Sequence, residues 1–187
     1  MRLNKILKNA LLVISAGIIL TACATKKEVA VEAPKKEETK KEETKKEKEE
    51  VTKIEKIAGQ MQGDVYVGTD SVKYLADGVA DRVFFATNES ILTTASRETL
   101  RAQAAWLRAN SNITVVLEGH ADERGTREYN LALGERRANA AKDYVMTYGV
   151  SSDRITVISY GKERPVDSGS NPLAWSKNRR SVTVKAN

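Results

Sequence analysis

Apolar and polar positions follow three different patterns along the chain. From Ala10 to Leu20 apolar and small residues run without interruption. From Ala24 to about Glu50 apolar residues almost vanish, and beyond Val51 they return with the periods of folded elements. Val83-Phe84-Phe85 reads as a short strand. Thr93 or Thr94 can cap a helix to Ala109, with Leu100, Ala104 and Leu107 on one face. Ile113–Leu117 reads as a buried strand. A second helix is predicted from near Thr126 to Gly149, a residue suited to the left-handed position after a helix. Its apolar stripe is Leu131, Ala138, Ala141, Val145 and Tyr148. Ile155–Tyr160 is a third strand and Ser181–Lys185 a fourth, with Val182 and Val184 on one face. Between them Asn171-Pro172 can open a short helix to about Asn178, since Pro suits a first helical turn. The order β-α-β-α-β-(α)-β predicts an α+β two-layer sandwich, its helices packed on one mixed four-stranded sheet. Residues 51–80, broken by Gly59, Gly63, Gly68 and Gly78, are expected to connect, with a short helix over Ile54–Met61 and an extended Asp64–Val67.

Composition narrows the chemistry. The 187 residues contain one Cys and one His, which excludes an intramolecular disulfide framework and the zinc sites built from His and Cys. A net charge of +6 and a pI near 9.3 point at first to nucleic acid. The distribution removes that reading. Arg2, Lys5 and Lys8 supply three of the charges, and residues 24–50 hold nine Lys against nine Glu. Arg179, Arg180 and Lys185 cluster, but alternation along the last strand turns its residues both ways. The stretch from Ala24 to Glu50 is too poor in apolar residues to offset its ordering entropy. Fully extended, it would reach about 90 Å at roughly 3.3 Å per residue. It is expected to act as a tether.

The first segment has the build of an export signal. Arg2, Lys5 and Lys8 precede an apolar run too short to span a bilayer, which takes about 20 residues. The run ends in Leu20-Thr21-Ala22-Cys23, which resembles a bacterial lipobox. That resemblance implies cleavage before Cys23 and acylation of its thiol. Ala24, in place of an Asp after the Cys, implies an outer-membrane lipoprotein facing the periplasm. The expected organisation is a leader over 1–22, a lipidated Cys and tether over 23–50, a connection over 51–80 and a folded domain over 81–187.

Candidate chemistry concentrates in Glu118-Gly119-His120-Ala121-Asp122-Glu123-Arg124-Gly125-Thr126, then Tyr129-Asn130 and Leu133-Gly134-Glu135-Arg136-Arg137-Ala138. Asp122 falls in the loop between a strand and a helix. Asn130 and Arg137, seven apart, share a helix face with Leu133 between them. That face is placed away from the centre of the apolar stripe. A carboxylate and a guanidinium flanking one pocket match a ligand with both an ammonium and a carboxylate. Periodicity alone equally permits a simple Asp–Arg salt bridge.

Residues 83–186, with these motifs in order, resemble the OmpA-like peptidoglycan-binding domains. The resemblance implies non-covalent capture of meso-diaminopimelate in the peptidoglycan stem peptide, anchoring the outer membrane to the cell wall. It implies that Asp122 takes the ammonium and Arg137 the carboxylate. Asn130 and Leu133 would line or order the pocket, and Phe85 would form part of its wall. Arg136, about 100° round the helix, has a different role. TolB and other Tol proteins are the implied partners, docking over the Asp122–Tyr129 loop in a system that supports envelope integrity and cell division. The chain departs from the family after its first strand, reading Phe85-Ala86-Thr87-Asn88-Glu89 where Phe-Asp, or Phe-Gly followed by an acidic residue, is common. Backbone contacts there survive the change. No nucleophile elbow, Walker or dinucleotide motif accompanies His120. It reads as a hydrogen-bonding residue at a strand end, and neither catalysis nor a cofactor is expected.

Overall fold

A computed structural model describes Glu49, Thr52 and residues 59–186. The predicted leader, Cys23 and nearly all of the tether lie outside the described residues. So does most of the predicted 54–61 helix, whose last residue, Met61, is found in a strand instead.

The connecting region is built rather than loose. Strands β1 (Met61–Gln62) and β2 (Val65–Tyr66) form a hairpin, and β3 (Tyr74–Ala76) and β4 (Val79–Ala80) a second. Gly63 and Gly78 turn them with φ of +62° and +71°, a region that favours glycine. Four further strands make the main sheet: β5 (Arg82–Phe84), β6 (Val115–His120), β7 (Ile155–Gly161) and β8 (Arg180–Lys185). Their order is β5-β8-β6-β7, with β6 and β7 parallel and the other pairs antiparallel. The sheet is mixed, as expected.

Helix α1 (Thr94–Ala109) starts where Thr93 Oγ1 accepts from the Ser96 amide at 3.1 Å. Helix α2 (Arg127–Thr147) is capped by Thr126 in the same way, at 3.2 Å to the Tyr129 amide, and Gly149 follows its end at φ +84°. Asn171 caps α3 (Pro172–Asn178), which packs against β2. The helices fall where caps and periodicity place them; the strand ends do not. β5 stops at Phe84, and β6 begins at Val115 because the Ile113 amide closes a turn onto Asn110 and its carbonyl accepts from Arg154. β6 then continues to His120, paired with β7 on one side and β8 on the other.

The core lies between the sheet and helices α1 and α2, with Val83, Val115, Leu117 and Ile155 against Leu100, Leu107, Ala138, Ala141 and Val145. In β8 the two valines share one face, as expected, and it is the face turned away from the helices. Ser181 and Thr183 pair with Val83 and Leu117 and so face the helices. There Thr183 donates to Gln103 Oε1 at 2.7 Å, and Gln103 donates to the Ala80 carbonyl at 2.7 Å, so both buried polar groups are satisfied. Val182 and Val184 take the other face, 6% and 40% exposed. β2 covers part of that second face, with the Tyr66 ring edge-on to Phe84 at 4.7 Å. No helix among the described residues is long and apolar enough to cross a membrane.

α2 lies unusually close to β6 because two glycines meet there. A Cβ on Gly119 would stand 1.8 Å from the Gly134 carbonyl oxygen, and one on Gly134 would stand 2.4 Å from Ser159 Oγ. Helix propensity alone favours Gly134→Ala by about 1 kcal/mol. We expect the substitution instead to destabilise by about 1–3 kcal/mol through overpacking, read as a lowered urea midpoint at unchanged slope.

Candidate functional site

The loop that leaves β6 is fastened before any ligand is considered. The Ala121 amide donates to the Gly161 carbonyl at 2.8 Å, extending the strand pairing by one residue. Asn130 Nδ2 reaches back from α2 to the carbonyls of Arg124 (2.8 Å) and Thr126 (3.0 Å). Lys162 holds the loop from outside through the carbonyls of Glu123 and Gly125, at 3.2 and 2.7 Å. Asp122 is thereby fixed and nearly buried at the carboxyl end of β6.

Asp122 does not pair with Arg137. Its Oδ1 accepts from the Arg124 amide at 3.1 Å and from Arg124 Nε at 3.2 Å. Its Oδ2 accepts from Arg124 Nη2 at 2.7 Å and from Arg179 Nη1 at 3.3 Å. Burial alone would raise the Asp122 pKa, but the Arg124 and Arg179 contacts outweigh it and hold the carboxyl below the usual range. The Arg124 guanidinium lies 4.4 Å from the centre of the Trp175 ring, and Trp175 Nε1 donates to Glu123 Oε1 at 2.8 Å.

Arg137 is fully buried, and the three hydrogen bonds of its guanidinium all run to backbone carbonyls. Nε donates to Glu89 (2.8 Å), Nη1 to His120 (2.9 Å) and Nη2 to Ala86 (3.0 Å). No carboxylate among the described residues forms an ion pair with it. Burial first, then the neighbouring Arg179 charge, push its pKa down to about 10, which leaves it a cation at neutral pH. The helix face carrying Asn130, Leu133 and Arg137, read as lying to the side of the core, is as buried as the Ala138–Ala141 stripe.

A cleft of about 320 Å³ opens over this cluster, lined by Thr87, Asn88, Asp122, Arg124, Gly125 and Tyr129. Of the five residues proposed from the sequence to hold a ligand, Asp122 lines it. Phe85, Leu133, Asn130 and Arg137 lie beneath, with the Phe85 ring 5.4 Å from the Arg137 guanidinium. A larger cavity of about 520 Å³ sits between the first hairpin and the start of α1. Its walls are mainly apolar, and its one charged residue, Arg82, is paired with Asp81.

Three residues join the cluster that sequence reasoning left out of the site. Arg124 and Arg179 grip Asp122, and Arg179 also donates to the carbonyls of Phe85 (3.1 Å) and Asp64. Arg179 therefore ties the start of the last strand to the end of β5 and also touches the site. Asp64, in the turn of the first hairpin, accepts from the Thr87 amide at 2.6 Å. Asp64 thus holds the 86–89 turn from 23 residues upstream. No local pattern marks Asp64; only the closing of the hairpin onto the turn brings it there.

His120 points to the other face of the sheet. It is buried, neither ring nitrogen has a well-formed hydrogen bond, and its ring lies 5.6 Å from that of Tyr160. The Glu118 carboxylate stands 3.5 Å from Nε2. Among the described residues no group of His, Cys, Asp and Glu converges as a metal site.

Fold and site together define a class: a small α+β domain with an arginine-rich cleft at the carboxyl end of a parallel β-α-β unit. Residues 84–179 match the OmpA family, and the chain belongs to that family. It is 53% identical over 106 residues to a peptidoglycan-associated lipoprotein of Mesorhizobium japonicum, covering 57% of this chain and 63% of the relative. The peptidoglycan-associated lipoprotein of Pasteurella multocida is 40% identical over 131 residues, 70% of this chain and 83% of that one. Among solved structures, that of the peptidoglycan-associated lipoprotein from Burkholderia pseudomallei superposes with a TM-score of 0.56 at 33% identity, covering 57% of this chain and 90% of that chain. The match spans less than two thirds of the length of the rhizobial relative.

His120 contributes to the pH dependence of the domain's stability. Burial, then the charges of Arg180, Arg82 and Arg164, lower its pKa from 6.5 to about 3. The unfolded chain therefore binds a proton that the folded chain refuses between those values, and stability falls as pH drops through that window. As the chain has a single His, its ring resonances should stay unshifted in NMR spectra from pH 8 to about 4.5. A midpoint near 6.5 would contradict the burial described above.

Proposed function

We propose that the chain is an outer-membrane lipoprotein that ties the membrane to the cell wall by non-covalent binding of peptidoglycan. The relatives named peptidoglycan-associated lipoprotein support this reading. The observation that carries it is Arg137, a buried cation held by three carbonyls and in no ion pair with a carboxylate among the described residues, beside a cleft with Asp122 in its wall. Neutral carbonyls orient a guanidinium without cancelling its charge, so the cluster favours an incoming anion.

The proposed ligand is meso-diaminopimelate in the stem peptide, whose free end carries an ammonium and a carboxylate on one carbon. Asp122 takes the ammonium and Arg137 the carboxylate. Because Arg137 has no exposed surface, it acts from beneath the 86–89 turn, whose carbonyls it holds and over which the carboxylate sits. Asn130 keeps the loop in place, while Leu133 and Phe85 support Arg137 from the core. The module works by binding, and none of its residues is assigned a catalytic step. Residues 1–22 are the leader, Cys23 carries the acyl chains and residues 24–50 are the tether. Each buried methylene of an acyl chain contributes about 0.8 kcal/mol, so several chains hold the protein at the outer membrane. TolB and other Tol proteins are partners that meet the Asp122–Tyr129 face and compete with peptidoglycan.

Sedimentation of the full chain with diaminopimelate-type peptidoglycan tests the site. Asp122→Ala should lower retention about tenfold or more, and Arg137→Lys, which keeps the charge but loses the planar fork, should also weaken it. Retention by Asp122→Ala equal to wild type would remove Asp122 from the ligand. Membrane fractionation tests the anchor: Cys23→Ala should move the protein from the membrane to the soluble periplasmic fraction.

A further inference from the structure

We propose that Arg124 is an internal cation that fills the ammonium seat of the cleft, and that it sets specificity because a ligand must displace it. This rests on the reading of Asp122 as the cation-binding carboxylate. Arg124 presents a two-pronged fork to Asp122, Nε to Oδ1 at 3.2 Å and Nη2 to Oδ2 at 2.7 Å. Those are the contacts an alkylammonium needs. The other guanidinium on Asp122, from Arg179, is 2% exposed and pinned by the Phe85 and Asp64 carbonyls, so it has no route out.

Arg124 is differently placed. Its side chain is 42% exposed, and beyond Asp122 it touches the Thr87 hydroxyl at 3.4 Å and the Trp175 ring. Leaving Asp122 does not dismantle the loop. The Arg124 amide remains on Asp122 Oδ1, and its carbonyl remains on Asn130 Nδ2. The Trp175 face, fixed by the Glu123 contact, offers the freed guanidinium a place to rest.

The exchange has a consequence for selectivity. A ligand bringing an ammonium alone trades one cation on Asp122 for another and gains little. A ligand bringing a carboxylate as well sets it over the 86–89 turn, beneath which the Arg137 charge lies, and gives the displaced Arg124 an anion to pair with. The internal cation therefore discriminates against simple amines and for a zwitterionic end group, with Arg124 acting as a specificity residue.

Two soluble muropeptides, one with meso-diaminopimelate and one with lysine, test this with the full chain. Arg124→Gln should bind the lysine muropeptide about threefold or more tighter than wild type, the factor set by removing a half-exposed competing pair. The preference for the diaminopimelate muropeptide should narrow accordingly. Independently, Trp175 emission, isolated in a Trp106→Phe background, should change when the diaminopimelate muropeptide binds, and the change should be absent when Arg124→Gln is added. Weaker binding of either muropeptide by Arg124→Gln, or an unchanged preference with unchanged Trp175 emission, overturns the proposal. If wild type binds, Asp122→Ala does not, and Arg124→Gln behaves as wild type, only the role of Arg124 falls. Absence of binding by every variant removes the peptidoglycan reading and this inference together.

Discussion

A full positive charge inside the domain, the guanidinium of Arg137, is the constraint on which the site depends. It joins three pieces of chain far apart in sequence: α2, the last carbonyl of β6, and the turn after β5. A buried cation without an anion is costly unless its donors are satisfied, and here the backbone satisfies three of them. The 86–89 turn is shaped to do so. Asn88 adopts φ +59°, and the Ala86 and Glu89 carbonyls both turn inward to the same side chain. The close glycine contact between α2 and β6 places Arg137 at the required depth, so packing and electrostatics fix the same geometry.

Around this cation the charges do not balance. Arg124, Arg137 and Arg179 gather near Asp122 and Asp64, whose carboxyls lie below their usual range, Asp122 through Arg124 and Arg179 and Asp64 through its Thr87 hydrogen bonds and then Arg179. The opposite face of the sheet is organised differently. There Arg82 is paired with Asp81 at 2.7 Å, and His120 stays neutral beside Glu118 and the arginines. Positive charge exceeds negative there too, with Arg164 and the buried Arg180 beside the Arg82–Asp81 pair, and what sets the cleft apart is that it opens to solvent next to Asp122. The basic pI comes in part from Arg2, Lys5 and Lys8, far from the cleft in sequence.

Local signals located most of the helices. Thr93, Thr126 and Asn171 each accept the amide hydrogen bond that their residue type offers at a helix start, and Gly149 follows the end of α2 as predicted. Strand alternation was less informative. It put Val182 and Val184 on one face of β8, but the side facing the helices is the one with Ser181 and Thr183. The preference of valine for burial is outweighed there by register, since Thr183 must lie opposite Leu117 and within reach of Gln103. The two hairpins look like a connection along the chain, because runs of two or three residues are too short to show a period.

The sequence by itself determined the order of elements, the helix limits, the charged loop after β6 and the placing of Asp122 beside α2, all consequences of interactions within a few residues. Only the tertiary structure decided which groups meet. Asp122 is taken by Arg124 and Arg179 rather than Arg137, Asp64 arrives from a separate hairpin, and Phe85 and Leu133 sink beneath the cleft they were expected to line. The physical reason is that hydrogen bonding to a buried charge depends on distance in space and on desolvation, and neither is encoded in spacing along the chain.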